Sequence, residues 1–268
     1  MKKFINLLSD ELRRARVFYG IVIGLVVISQ LVIAFFTIYR FNQDTQRHSM
    51  VTLGELIDFS GFYQLLLIVA VGLLAIYSAY TWAREWLGGS TFIIRLLTLP
   101  GNRFVIVLAK WVSLLLMVGG VFFTQLLMVW AINFLGASFM NPGTYASIPW
   151  YYSYAQMLPM TQIFMPMTVG GSLLSFGAIS LGVLIVFSVM VTLLFKQAES
   201  KVKAVLFAVA VGLANLLLLI VGGLILISLN LTVLESFVVV ANVIVLGTLM
   251  NLFILLHQIT FNPKEARI

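Results

Sequence analysis

The feature that most constrains this chain is a succession of six apolar runs, approximately Val17–Ile38, Gly61–Tyr80, Phe104–Ile132, Met167–Phe195, Ala204–Leu229 and Phe237–Leu256. Crossing ~30 Å of hydrocarbon takes ~20 residues of α-helix, and the runs are near or above that length. Barrel strands would be about 10 residues long with alternating polarity. In lipid every backbone N–H and C=O must be satisfied, and a helix does this within its own segment. The expected fold class is all-α: a polytopic membrane protein with six transmembrane helices, forming one domain over residues 1–268. Composition agrees, with 62% hydrophobic residues, 9% charged residues and a mean hydropathy of +1.09, against about half apolar in soluble domains. The third and fourth runs exceed the minimum, so tilt, projection beyond the bilayer or a break are all open to them. The first run is too long for a signal-peptide core and no small-residue cleavage pattern follows it, so it reads as a retained span.

Lys and Arg then set the orientation, because short loops rich in them stay on the cytoplasmic side. With the N-terminus inside, fourteen of the sixteen Lys and Arg residues fall inside, and Arg40 and Arg47 alone fall outside. Both termini are therefore expected in the cytoplasm of a multi-pass cell-membrane protein. The net charge of +7 becomes a topology signal and an attraction to anionic membrane lipids, and no nucleic-acid partner is expected.

Several chemistries lack their residues. The chain has no cysteine, and its two histidines, His48 and His257, fall in separate places in this topology. No disulfide, thiolate site or His-rich metal cluster follows. No Asp, Glu, Lys, Arg or His sits near the middle of a run, and none occurs between Lys110 and Lys196, which speaks against an ion- or proton-driven pump. The acid, base or metal set of an intramembrane hydrolase is also missing, so no enzymatic activity is expected in this chain.

Uncharged polar residues do lie within the runs: Gln125, Asn215, Asn242 and Asn251. Interhelical hydrogen bonding is their ordinary use, and Gln125, Asn215 and Asn242 are also candidates for a substrate path. Small residues at Gly170 to Ser172, Gly177, Gly182, Gly222 and Gly223 would let helices approach closely. Before the first run, Phe4, Ile5, Leu8, Leu12 and Ala15 share one helical face, while Lys2, Asn6, Asp10, Arg13 and Arg16 share the other. That pattern predicts an amphipathic interfacial helix over residues 1–16, anchored through Phe4, Leu8 and Leu12.

Between the second and third runs stands WAREWLGGSTFIIRLLTLPGNR, residues 82–103. Ser90 can cap a helix whose apolar arc is Phe92, Ile93, Leu96, Leu97 and Leu99, with Arg95 opposite. Pro100 and Gly101 end it, and Gly88 and Gly89 make a corner upstream. A solvated loop would need neither the amphipathic turn nor the paired glycines.

Arg84-Glu85, then Gly89 with Ser90 and Thr91, then Leu96-Leu97-Thr98-Leu99-Pro100, Arg103 and Lys110 resemble the first cytoplasmic loop of ABC-2 type transporter permeases. The resemblance implies the transmembrane subunit of an ATP-driven exporter, whose cytoplasmic coupling helix docks on a separate nucleotide-binding subunit. Arg84, Glu85, Gly89, Arg95, Leu96, Leu97, Pro100 and Arg103 would then belong to the docking region, and the N-terminal helix would correspond to that family's connecting helix. The chain carries no G-x-x-x-x-G-K-[ST] sequence, so ATP and Mg would be bound by the partner ATPase, with no cofactor in this chain. A second permease subunit, identical or related, is implied as well. The chain departs from the family externally: the turn near Asn230 to Ser236 is short, and the long segment is instead Asn133–Pro166, with Trp150, Tyr151, Tyr152 and Tyr154. Such aromatics suit an interfacial cap, a cargo-contacting surface or packing between two copies. An uncharged span set points to hydrophobic or amphipathic cargo, with a peptide first. The alternatives are a membrane sensor or scaffold regulated by an ABC ATPase, and a passive channel or secondary carrier.

Overall fold

The computed structural model describes residues 2–43, 50–58, 61–87, 104–146, 169–197, 200–228 and 233–260. Among them are seven helices: α1 Lys2–Gln43, α2 Leu53–Asp58, α3 Phe62–Leu87, α4 Phe104–Phe139, α5 Val169–Gln197, α6 Lys201–Ser228 and α7 Val233–Thr260. All but α2 are long and apolar enough to cross a membrane. The chain is thus an all-helical, multi-pass membrane protein. By packing it divides into two compact units, one formed by Met1–Ala15, Leu74–Leu116 and Gly177–Ile268, the other by Arg16–Leu73 and Met117–Phe176.

The interfacial helix expected to end at residue 16 is not separated from the first span, because α1 runs unbroken for 42 residues. No Gly or Pro occurs before Gly20, so the segment contains nothing that would break a helix. At 1.5 Å per residue α1 is about 63 Å long, twice the hydrocarbon thickness. Its amphipathic face also differs from the sequence reading. Ala15 is buried and Phe4, Leu8 and Leu12 are half-buried, but Ile5 is exposed. The residue that shares the packed side with Ala15 is Glu11.

In the second unit, Ala34, Ile38 and Phe41 of α1 pack with Tyr63 and Leu67 of α3, Val129 and Ile132 of α4, and Leu53, Leu56 and Ile57 of α2. Helix α2 starts from a reciprocal cap: Thr52 Oγ1 accepts from the Glu55 amide at 3.4 Å, and the Thr52 amide donates to Glu55 Oε2 at 3.1 Å. The T-x-x-E spacing is the capping-box signature. Beyond α4 the chain turns at Gly143, whose φ of 84° favours glycine. It then pairs with Val51, which donates to the Thr144 carbonyl at 2.8 Å and accepts from the Ala146 amide at 3.0 Å. The start of the segment 133–166 is therefore helix up to Phe139, followed by a strap over α2. Tyr145 in that strap donates to Asn133 Oδ1 at 2.6 Å, and burial pushes its phenol up to about 12. Trp150, Tyr151, Tyr152 and Tyr154 lie outside the described residues.

In the first unit, α7 meets α6 and α5 at small residues. A methyl group on Gly222 would approach Val243 Cγ2 to 2.6 Å, and one on Gly177 would approach Ile244 Cγ2 to 3.1 Å. Gly182 and Gly223 instead border an apolar crevice of about 260 Å³ among α5, α6 and α7.

Candidate functional site

The most unusual chemistry among the described residues is a charged cluster in the first unit. Glu11 of α1 is buried, and its Oε1 accepts from Lys110 Nζ of α4 at 2.7 Å. Lys110 is 1% exposed, two turns into its helix. Its ammonium lies 5.4 Å from the centre of the Trp82 ring, and Trp82 is itself buried against Phe187 of α5, with ring centres 6.0 Å apart. Arg84, in the last turn of α3, stands 3.9 Å from Glu11 Oε2 and 5.7 Å from the centre of the Tyr80 ring one turn back. An ammonium taken out of water is costly unless paired. Glu11 supplies that pair, and the Trp82 face adds a cation–π contact.

The helices assembled here are the two that bracket residues 88–103, held to the N-terminal part of α1. Among the residues expected in the docking region, Arg84 joins this cluster. Glu85 lies on α3, with its side chain outside the described residues. Gly89, Arg95, Leu96, Leu97, Pro100 and Arg103 lie outside them too. Sequence reasoning passed over Glu11. The signal was present, since Glu11 lies three residues after Leu8 and four before Ala15, which puts a carboxylate inside the apolar arc.

The substrate-path candidates separate into different surroundings. Gln125, in the second unit, accepts from Gln30 Nε2 at 2.9 Å and from the Tyr63 hydroxyl at 3.0 Å. Gln30 Oε1 and Gln125 Nε2 are buried without a hydrogen-bond partner. Gln30 was not singled out in the sequence, although a lone amide within an apolar run is the pattern that interhelical pairing produces. Asn215, in the first unit, exchanges hydrogen bonds with Asn251: Asn251 Nδ2 donates to Asn215 Oδ1 at 2.7 Å and Asn215 Nδ2 to Asn251 Oδ1 at 3.3 Å. The Ser188 hydroxyl also donates to Asn251 Oδ1. Asn242 makes no such link: it is exposed, bonds the Val238 carbonyl of its own helix at 2.9 Å, and borders a groove between α6 and α7. Among the described residues no group of three His, Cys, Asp or Glu side chains could hold a metal ion.

No family model, no curated protein and no solved structure matches this chain.

Proposed function

We propose that the chain is the membrane-spanning permease subunit of an ATP-driven ABC exporter, powered by a separate ATPase and moving a hydrophobic or amphipathic substrate outward, with a peptide as the first candidate. It sits in the cell membrane with both termini in the cytoplasm and pairs with a second permease, identical or related. The observation that carries this reading is the Glu11 cluster. A coupling segment between α3 and α4 needs both flanking helices fixed to something that moves with them, and Glu11, Arg84 and Lys110 tie α3 and α4 to α1 at that end. The quoted pattern from Arg84 to Lys110 supplies the family likeness.

The test is docking. Truncating a central apolar anchor of an interface typically costs ~2 kcal/mol or more, about thirtyfold in Kd. Leu97→Ala is expected to weaken co-purification with the partner ATPase by about that factor and to lower substrate-stimulated ATP hydrolysis, with membrane insertion intact. Wild-type affinity in Leu97→Ala would refute docking at that residue. Orientation has its own check, because the chain has no native cysteine. Gly89→Cys and Gln197→Cys should be shielded from an impermeant external thiol reagent, and Gln46→Cys and Pro142→Cys, the latter at an exposed position, should react. Labelling of Gly89→Cys from outside would invert the orientation.

A further inference from the structure

We propose that the outward face of α7 is the contact surface for a second copy of this chain, with Asn242 of the two copies hydrogen-bonded to each other across a two-fold axis normal to the membrane.

Asn242 lies seven residues after Glu235 in the apolar span Glu235–His257, about 10 Å along the helix at 1.5 Å per residue. Its side chain is exposed, and its one hydrogen bond among the described residues runs from Nδ2 to the Val238 carbonyl of its own helix at 2.9 Å. One amide hydrogen and the whole of Oδ1 are left over, and in hydrocarbon such groups are unfavourable until something bonds them. Asn215 and Asn251 of the same unit meet that demand by bonding each other. An acyl chain offers neither donor nor acceptor, so lipid alone leaves Asn242 unmatched.

Spacing on the same face identifies the partner. Val238, Asn242, Val245, Leu249 and Leu256 are all exposed, and they follow one another at steps of four, three, four and seven residues. That is the 3.5-residue repeat with which one helix packs along another, and a single Asn on such a seam fixes the register of the pair. Two copies inserted the same way are related by an axis along the membrane normal, an isologous arrangement in which a residue on the axis meets its own counterpart at equal depth. A carboxamide carries donor and acceptor together, so two of them satisfy each other. Beside the seam, a groove of about 480 Å³ between α6 and α7 is bordered by the exposed Leu217 and Val221 and takes side chains of the opposing helix. The exporter reading calls for a second permease and names no face. This contact rests only on the spans, so either can fail alone.

The experiment uses the full chain in membranes, where the absence of native cysteine leaves a single introduced thiol. Leu249→Cys keeps Asn242 and should give a disulfide-linked homodimer on oxidation with copper phenanthroline. Leu127→Cys, exposed on α4, should stay unlinked. Single-molecule photobleaching across a range of protein-to-lipid ratios then gives the dimer Kd, which Asn242→Leu should raise about tenfold through the loss of two interhelical hydrogen bonds. No linked dimer from Leu249→Cys, or an unchanged Kd in Asn242→Leu, overturns the proposal. A dimer that forms without linking at Leu249→Cys would put the contact on another face, overturning the proposal and leaving the exporter reading standing. Linking of Leu249→Cys to a different membrane protein would assign the face to an unlike partner, and a monomer that retains lipid in the groove would assign it to an acyl chain. Each of these overturns the second copy as occupant.

Discussion

Two polar clusters of the same unit have opposite characters. Around Asn251, the two asparagines each donate to the other's side-chain oxygen, and Ser188 donates as well. The group is neutral, and its donors also reach the carbonyls of Val211 and Gly247 on their own helices. Around Glu11 the group is charged, and among the described residues Arg84 Nη2 finds no hydrogen-bond acceptor. The first arrangement is complete, so its role is to hold α5, α6 and α7 together. The second carries charge at the end of a span, where removing one partner leaves another charge buried. The Gln30–Gln125–Tyr63 group of the other unit falls between them: neutral, but with one acceptor and one donor left over.

The largest test of that contrast is Glu11→Ala. It leaves Lys110 buried with its carboxylate gone, and breaking a buried pair from one side typically costs about 3–5 kcal/mol. Thermal unfolding in detergent should show a large loss, and Lys110→Met added to Glu11→Ala should recover much of it. No recovery would mean that Glu11 acts through contacts other than the ion pair. A smaller effect is expected for Gln125→Leu, which takes the acceptor from Gln30 Nε2 and should cost about 1–3 kcal/mol. Here the double variant with Gln30→Leu should be milder than Gln125→Leu alone; a harsher one would show that the amides serve more than each other. The smallest effect belongs to the complete cluster. A double-mutant cycle between Asn215→Leu and Asn251→Leu should return a coupling of about 1 kcal/mol, in the range of interhelical hydrogen bonds in membranes. A coupling as large as that of Glu11 with Lys110 would erase the distinction between the two clusters.

The six spans were legible because burying backbone in lipid demands long apolar helices, and that demand is written residue by residue. The same rule hid the join at residue 16. Polarity changes there from amphipathic to apolar, but helix continuity depends on the absence of a breaker, and Ser9 to Tyr19 contains neither Gly nor Pro. Small residues were readable as close-approach positions, and Gly177 and Gly222 do meet Ile244 and Val243. Gly182 and Gly223 have the same composition and no neighbour within 4 Å of an added methyl, because helix register chooses which face of a glycine meets a partner.

By itself the sequence determined the all-helical class, the number of spans and the polar residues that had to find partners within them. Each of these follows from what a residue cannot do in hydrocarbon, and that is a property of the residue alone. Which partner each one found was decided by the tertiary structure. Glu11 and Lys110 stand 99 positions apart, as do Asn42 and Asn141, while Gln30 and Gln125 stand 95 apart. Such pairings depend on the depth and rotation of whole helices against one another. An apolar helix gains nearly the same from lipid as from protein on any face, so its composition does not encode its rotation, and packing against neighbouring helices selects the pairs.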